Sequence, residues 1–349
     1  MDIRNDTTLE TGFTLGPGPE GQPCVSVIVK GTFVIPAETG ATATLAEEQL
    51  PLWEEDHHFD GDASASVKFE ADTVPYKPAA DIVLVGHGYA PGGRPATQVD
   101  VLLRVGSHKQ ILRLIGDRQW SFPSRMLMKP LISDPKPFTQ MPLRYERAFG
   151  GVDRVGTGYC EANPLGQGFI ASKARDAVHE KPLPNIEDPR QPITAWNDHP
   201  RPVGFGFYGK TFAPRRALRG TEAGLADPDP LLGLPSDFAP AFFNGAHPDL
   251  QVSGYLQGNE EVELFNLTPD GPRAFHLPGI TPEVRLNLHG ENATTAGEAA
   301  SHVLPGALDT LVLLPDEGRG YVVWRFRHPL PERYEDVVGV AYATVRLSV

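Results

Sequence analysis

The sequence predicts a mainly β protein: β-sandwich or open-barrel sheets, a proline- and glycine-rich irregular central cap, and few short helices. Three observations carry that reading. First, 36 glycines and 35 prolines stand among 349 residues, about a fifth of the chain against the roughly 12% of average usage, and they interrupt long helices over most of its length. Second, both ends hold short runs that alternate apolar and polar residues or are rich in β-branched ones, divided by turn signals. Third, prolines recur every few residues between those ends. Three regions follow, an N-terminal β region over 1–130, the cap over 131–250 and a C-terminal β region over 251–349, or one composite domain built from all three.

In the first region, Cys24 to Ile35 alternates Val25, Val27 and Val29 with Ser26, Ile28 and Lys30, the pattern of a strand with one buried face. Asp81 to Gly88 is a short apolar run closed by glycine. Gln98 to Val105 and Gln110 to Ile115 flank Gly106-Ser107-His108-Lys109, a loop of hairpin length. Exposed charges and amides in these strands predict sheets with one solvated face. In the middle region, prolines from Pro135 to Pro214 leave little room for strands except at edges. Interleaved aromatics such as Tyr145, Phe149, Phe169, Trp196 and Phe205 make it an ordered cap over the sheets, not a linker. Phe169 to Val178, free of proline and glycine, predicts one short helix. The last region returns to strands at Glu261 to Leu267, Arg273 to Leu277, Glu283 to Leu288, Thr310 to Leu314, Tyr321 to Arg327 and Val337 to Leu347.

Composition excludes several functions. Thirty-one basic residues against 44 acidic ones give a net charge of −13, which disfavours a nucleic-acid partner and favours a basic one. No apolar run approaches the roughly 20 residues that cross a bilayer, and Met1 to Asp6 has neither the basic nor the apolar part of a secretory signal. With only Cys24 and Cys160 there is no disulfide framework and no four-thiolate zinc site. A cytoplasmic protein without a membrane partner is expected.

The motifs give no support to an enzyme and no cofactor site. Gly204-Phe205-Gly206-Phe207-Tyr208-Gly209 fits the spelling of a dinucleotide fingerprint, but Pro200 and Pro202 before it and Pro214 after it deny it the strand and helix that such a site needs. It reads as a glycine-rich loop with packed aromatics. Asp56-His57-His58-Phe59-Asp60-Gly61-Asp62 gathers metal-capable side chains, yet neighbouring imidazoles on a strand point to opposite faces. A solvated acidic turn is expected there and no metal; a metal-dependent hydrolase built on His57, His58, Asp60 and Asp62 is the enzyme alternative. A carbohydrate-binding β-sandwich using Trp53, Trp120, Trp196 and Trp324 is the other. No Gly-x-Ser-x-Gly, Ser-x-x-Lys or His-Glu-x-x-His occurs.

Leu143 to Gly151 joins aromatics to alternating charges, and Arg144, Glu146 and Arg147 there suit a buried hydrogen-bonded network. Asn163 to Phe169 is a tight turn leading into the expected helix. With these blocks stand Val29-Lys30-Gly31-Thr32-Phe33, Gly116-Asp117-Arg118-Gln119-Trp120, Leu183-Pro184-Asn185-Ile186-Glu187, Arg201 to Gly206, Ala213-Pro214-Arg215, Phe242-Phe243-Asn244 and Leu264 to Thr268. Taken in chain order and over nearly the whole chain they resemble the family known as domain of unknown function 2169, encoded in Gram-negative bacteria beside type VI secretion genes. The chain departs from the family pattern at Phe212, at Glu222 to Leu225 and at Ala246 to Gln251.

The resemblance implies an adaptor or chaperone that holds a secreted toxic effector in the producing cell and helps load it onto the spike or its tip protein. It implies no catalytic residue. The expected partner-binding residues lie in the central blocks: Arg144, Tyr145, Glu146, Arg147, Phe149, Asn163, Phe169, Phe205, Phe207 and Phe212.

Overall fold

The computed structural model describes residues 1–349 except 123, 125–128, 154, 156–157, 173, 229–232, 289–299, 331–340 and 348–349. Its principal strands are β1 (Asp2–Asn5), β2 (Glu10–Pro17), β3 (Pro23–Val34), β4 (Ala79–Leu84), β5 (Gln98–Val105), β6 (His108–Ile115) and β7 (Ile186–Glu187). Then come β8 (Gln251–Ser253), β9 (Glu261–Phe265), β10 (Arg273–His276), β11 (Pro282–Leu288), β12 (Ala300–Val303), β13 (Gly306–Leu314), β14 (Arg319–Pro329) and β15 (Ala341–Leu347). The expected strand from Val337 is described from Ala341 onward, its first four residues lying outside the described set.

Strands from the two ends of the chain interleave. The largest sheet runs β8-β4-β13-β14-β3-β2, with Thr44–Leu45 pairing against the far end of β3. A second sheet runs β7-β6-β5-β9-β10 and a third β1-β15-β11-β12. The molecule is mainly β with few short helices, and its sheets form no closed barrel among the described residues. Apolar side chains of all three sheets share one core, in which Phe33 of β3 meets Phe275 of β10 with ring centroids 6.4 Å apart.

The expected single solvated face holds for one hairpin and fails in the largest sheet. Along β5, Val99, Val101, Leu103 and Val105 are buried while Gln98 and Asp100 are exposed. The loop joining β5 to β6 is Gly106-Ser107, two residues shorter than expected, because His108 already pairs with Val105. In β3, by contrast, all residues but Val34 are buried, Ser26 and Lys30 among them. Its second face is covered by a strap, Glu70 to Lys77, which threads between sheet and cap.

That strap is held by charge. Lys30 Nζ donates to Asp72 Oδ2 (2.8 Å) and to the Pro51 carbonyl (2.8 Å). Arg325 of β14 pairs with Asp309 of β13 and donates to the carbonyls of Val74 (2.7 Å) and Asp72 (2.5 Å). Arg215, in the cap, pairs with Glu70 and donates to the Tyr208 carbonyl (2.8 Å). Lys77 Nζ donates to Asp81 Oδ2 of β4 (2.7 Å) and to Thr310 of β13 (2.9 Å). Asp81 also accepts from the amides of Gly245 (2.8 Å) and Ala246 (3.1 Å) and from Asn244 Nδ2 (3.0 Å). One carboxylate thus fixes strap, sheet and cap together.

The expected helix over Phe169 to Val178 is shorter, α1 (Arg175–Val178). Asp153 Oδ2 accepts the amides of Ala171 and Ser172 (2.9 Å each), while Gln167 and Gly168 pair in parallel with Phe149 and Gly150. These bonds draw the first part of the run away from helical geometry. Two short helices were not read from sequence, α2 (Ala213–Arg216) and α3 (Glu222–Ala226); Thr221 caps the latter by accepting the Gly224 amide (3.1 Å).

Replacing Asp81 by alanine leaves Lys77 buried and unpaired, and removing one partner of a buried pair costs about 3–5 kcal/mol. Arg113→Ala breaks the Arg113–Asp100 pair, whose side chains are 28% and 45% exposed, and screening holds that cost to about 1 kcal/mol or less. Urea titration at pH 7 checks the contrast, and equal midpoints for the two variants would contradict it.

Burial pushes the Asp81 carboxyl up, but Lys77, the Gly245 amide and Asn244 together outweigh it and hold the group below its ordinary value. A depressed folded value means the contribution is complete above the unfolded pKa, about 3.9, and is lost as pH falls through the folded one. The stability gap between wild type and Asp81→Asn is therefore expected to stay constant from pH 7 to 5 and to shrink below about pH 4. A gap that shrinks between pH 7 and 5 would rule this account out.

Candidate functional site

Most of the expected partner-binding residues lie inside the protein. Tyr145, Phe149, Asn163, Phe205, Phe207 and Phe212 are at most 3% exposed. Tyr145, Tyr208 and Phe212 pack edge to face, with centroids 5.0–5.5 Å apart. Asn163 Nδ2 donates to the carbonyls of Tyr145 (2.8 Å) and Phe149 (3.0 Å), and the Phe205 carbonyl accepts the Leu84 amide of β4 (2.8 Å). Phe169 is half-buried, its ring 5.0 Å from that of His199. Tyr145, Phe205, Phe207 and Phe212 belong to the main core, whereas Phe149 and Phe169 pack in the cap's own apolar cluster, where Phe169 keeps part of its surface.

The expected mutual network of Arg144, Glu146 and Arg147 does not form. The 3₁₀ turn Tyr145–Arg147 fans them toward three separate segments. Arg144 pairs with Asp60 (2.6 Å) and lies over the Phe59 ring; Glu146 accepts from the Ser66 amide (2.7 Å) and hydroxyl (2.8 Å); Arg147 donates to Asn185 Oδ1 (3.0 Å). The reason is geometric: a single tight turn splays neighbouring side chains.

Glu146 and Arg147 do reach a common place. With Asp117, Arg118, Gln119, Ser133, Asp134, Lys136, Gln167, Pro182, Leu183 and Asn185 they line an open cleft of about 720 Å³. Its floor is a fixed set of hydrogen bonds around Asn185. Asn185 Nδ2 donates to the Ile115 carbonyl (2.9 Å) and Asp117 Oδ1 (3.1 Å), while its Oδ1 accepts from Arg147 and from Gln167 Nε2 (3.0 Å each). Gly116 lies so close to a crossing backbone that any Cβ would run into the Lys136 carbonyl. Behind the wall, Arg118 pairs with Glu187, whose carboxyl burial pushes above its ordinary value although Arg118 pulls it back.

The rim is different. Asp134 and Lys136 are exposed, and three basic and three acidic residues are among those that line the cleft as a whole. The cleft thus combines a hydrogen-bonded floor with charged side chains of both signs and the apolar Pro182 and Leu183. Among the described residues no histidine or cysteine lines it.

Sequence reasoning placed only Glu146 and Arg147 at this cleft. Asp117, Arg118, Lys136, Gln167 and Asn185 were missed, although four of those five lie in blocks of the family resemblance. The signal that could have found them is polar residues beside Gly116 and Gly166, glycines that let backbones cross.

The alternatives separate in space. His58 Nδ1 lies 2.7 Å from the Ala65 carbonyl, the His57 ring packs on Trp53, Asp60 takes Arg144, and Asp62 accepts from Ser64. These four side chains thus turn to four partners. Among the described residues no group of three or more histidine, cysteine, aspartate or glutamate side chains is placed to hold a metal. Trp120 and Trp324 are buried, Trp53 stacks on Phe69 and Trp196 packs against the cap's own apolar cluster, so they form no common platform. The Gly204 to Gly209 loop carries buried aromatics, as its composition suggested.

Compared with known proteins, the chain matches no curated protein and no solved structure. One family description covers residues 20–325, a span that includes the cleft with all four of the blocks that build it, and the chain belongs to that family, DUF2169, described as an uncharacterized protein conserved in bacteria.

Proposed function

We propose that this protein is a cytoplasmic adaptor or chaperone that holds a toxic effector of a type VI secretion system in the producing cell and helps load it onto the spike or its tip protein. One observation supports the reading: the blocks around Asp117, Glu146, Gln167 and Asn185, which carry the family resemblance, converge on a single open cleft. Its floor is already locked by hydrogen bonds, so little ordering cost falls on binding. Charges of both signs at the rim favour a matched protein surface and reject mismatched ones. The acidic whole, at −13, steers basic partners toward it.

The tagged protein drawn from its native host, with the secretion genes expressed, is expected to bring down one effector encoded nearby, identified by mass spectrometry. Lys136→Glu combined with Asp134→Lys reverses two exposed rim charges and is expected to cut that recovery at least tenfold, about 1.4 kcal/mol, at an unchanged melting temperature. An empty pull-down from such cells would overturn the adaptor reading. Full recovery with the double variant would remove the cleft as its seat.

A further inference from the structure

We infer that β2 is a docking edge that takes an extended, lysine- or arginine-bearing segment of another polypeptide as an added strand, independently of the cleft. β2 closes one side of the largest sheet and pairs with β3 in unbroken register from Glu10↔Lys30 to Pro17↔Pro23. Which of its backbone groups face outward follows from the turn beyond it. The Gly18 amide donates to the Gln22 carbonyl (2.7 Å), so that pair is hydrogen-bonded, and bonded pairs recur every second residue. Gly16, Thr14, Gly12 and Glu10 therefore bond to β3, while Thr11, Phe13 and Leu15 turn their N–H and C=O groups away from it.

Two independent features fix the same parity. Pro17 and Pro23, which have no N–H, face each other at a position that needs none. Past the end of β2, Thr32 of β3 stands one bonded position beyond Lys30, and its amide and carbonyl are met by the Gln49 side chain (2.7 and 3.2 Å).

Along the outward row, hydrogen bonds among the described residues stop at Leu9. Leu9, the next in the row, has its amide and carbonyl satisfied by Thr7 and Asn5 (3.1 and 2.6 Å). From Thr11 to Leu15 only a 3.5 Å approach of the Thr14 hydroxyl to the Leu15 carbonyl is present among the described residues. Other sheet edges are managed. The edge of β10 is covered by bonds with Gly40, Ala41 and Ala43; β8 has three residues and β7 two; β1 and β12 have four each. β2 has eight residues, no bulge and no lysine; of the devices that usually guard such an edge it carries only Glu10 and Pro17, one at each end of the row.

Charge and apolar surface select the occupant. Phe13, 37% exposed, offers an apolar shoulder at the middle of the row. Glu10 makes no ion pair among the described residues, since Lys30 opposite it is spent on Asp72. A strand with an apolar residue beside Phe13 and a basic one beside Glu10 completes both. A second copy of this chain brings a further −13 and another Glu10, which opposes self-pairing.

The test uses the full chain and a labelled nine-residue peptide of alternating valine and lysine, read by fluorescence anisotropy and by hydrogen exchange. Binding is expected to protect the amides of Thr11, Phe13 and Leu15. Phe13→Pro removes an outward N–H without touching the β3 ladder and should weaken the peptide at least tenfold at an unchanged melting temperature. Glu10→Lys should weaken it severalfold and favour a valine–glutamate peptide instead. Equal binding of both peptides to wild type, protection elsewhere than at β2, or a wild-type dimer that Phe13→Pro turns into monomer would each overturn the inference.

Discussion

Everything in this fold depends on a strap of eight residues, Glu70 to Lys77, whose charges cannot reach water. Lys30, Arg215 and Arg325 converge on it from β3, from the cap and from β14, and Lys77 leaves it for Asp81. Charges taken out of water gain little net stability even when paired, because desolvation consumes most of the attraction. What they impose is registry. Each is tolerable only where its partner stands, so the strap has one place to lie, and the sheet beneath and the cap above are positioned by it. Gly16 belongs to the same arrangement: a Cβ there would meet the Pro75 ring.

The sheets were legible because alternation is a local signal. Val25, Val27 and Val29 or Val99, Val101 and Leu103 announce strands wherever they occur. What alternation could not convey is what covers the second face. Lys30 in an alternating run reads as solvated, since lysine is almost never fully buried unless paired, and the aspartate that pairs it lies 42 residues on. The pairing of β4 with β13 and of β3 with β14 was hidden for the same reason: it rests on contacts between residues more than two hundred positions apart.

The central blocks were legible, and which of their side chains reach the surface was not. The blocks around Tyr145, Asn163 and Phe205 stood out for their aromatics and glycines, and large aromatics suit either a core or an interface. In the folded chain the aromatics turn inward and the polar residues beside them turn outward. Arg147 and Gln167 reach the cleft while Tyr145 and Phe149 are buried in the two apolar clusters. A one-dimensional reading cannot make that choice, because it depends on which side of a two- or three-residue turn faces the sheet. Asp117 and Asn185 were less visible still, each ordinary alone and informative only once a shared hydrogen bond joins them.

The two proposed binding surfaces differ in how they are built, and that difference bears on what each would recognise. The cleft is walled by side chains already bonded to one another, so a partner must match a fixed pattern, and a mismatch leaves polar groups without bonds. Edge β2 offers backbone instead, which pairs with any extended chain and takes its selectivity only from Phe13 and Glu10. The cleft falls within residues 20–325 that the family description covers, whereas β2 ends at Pro17, before that span begins.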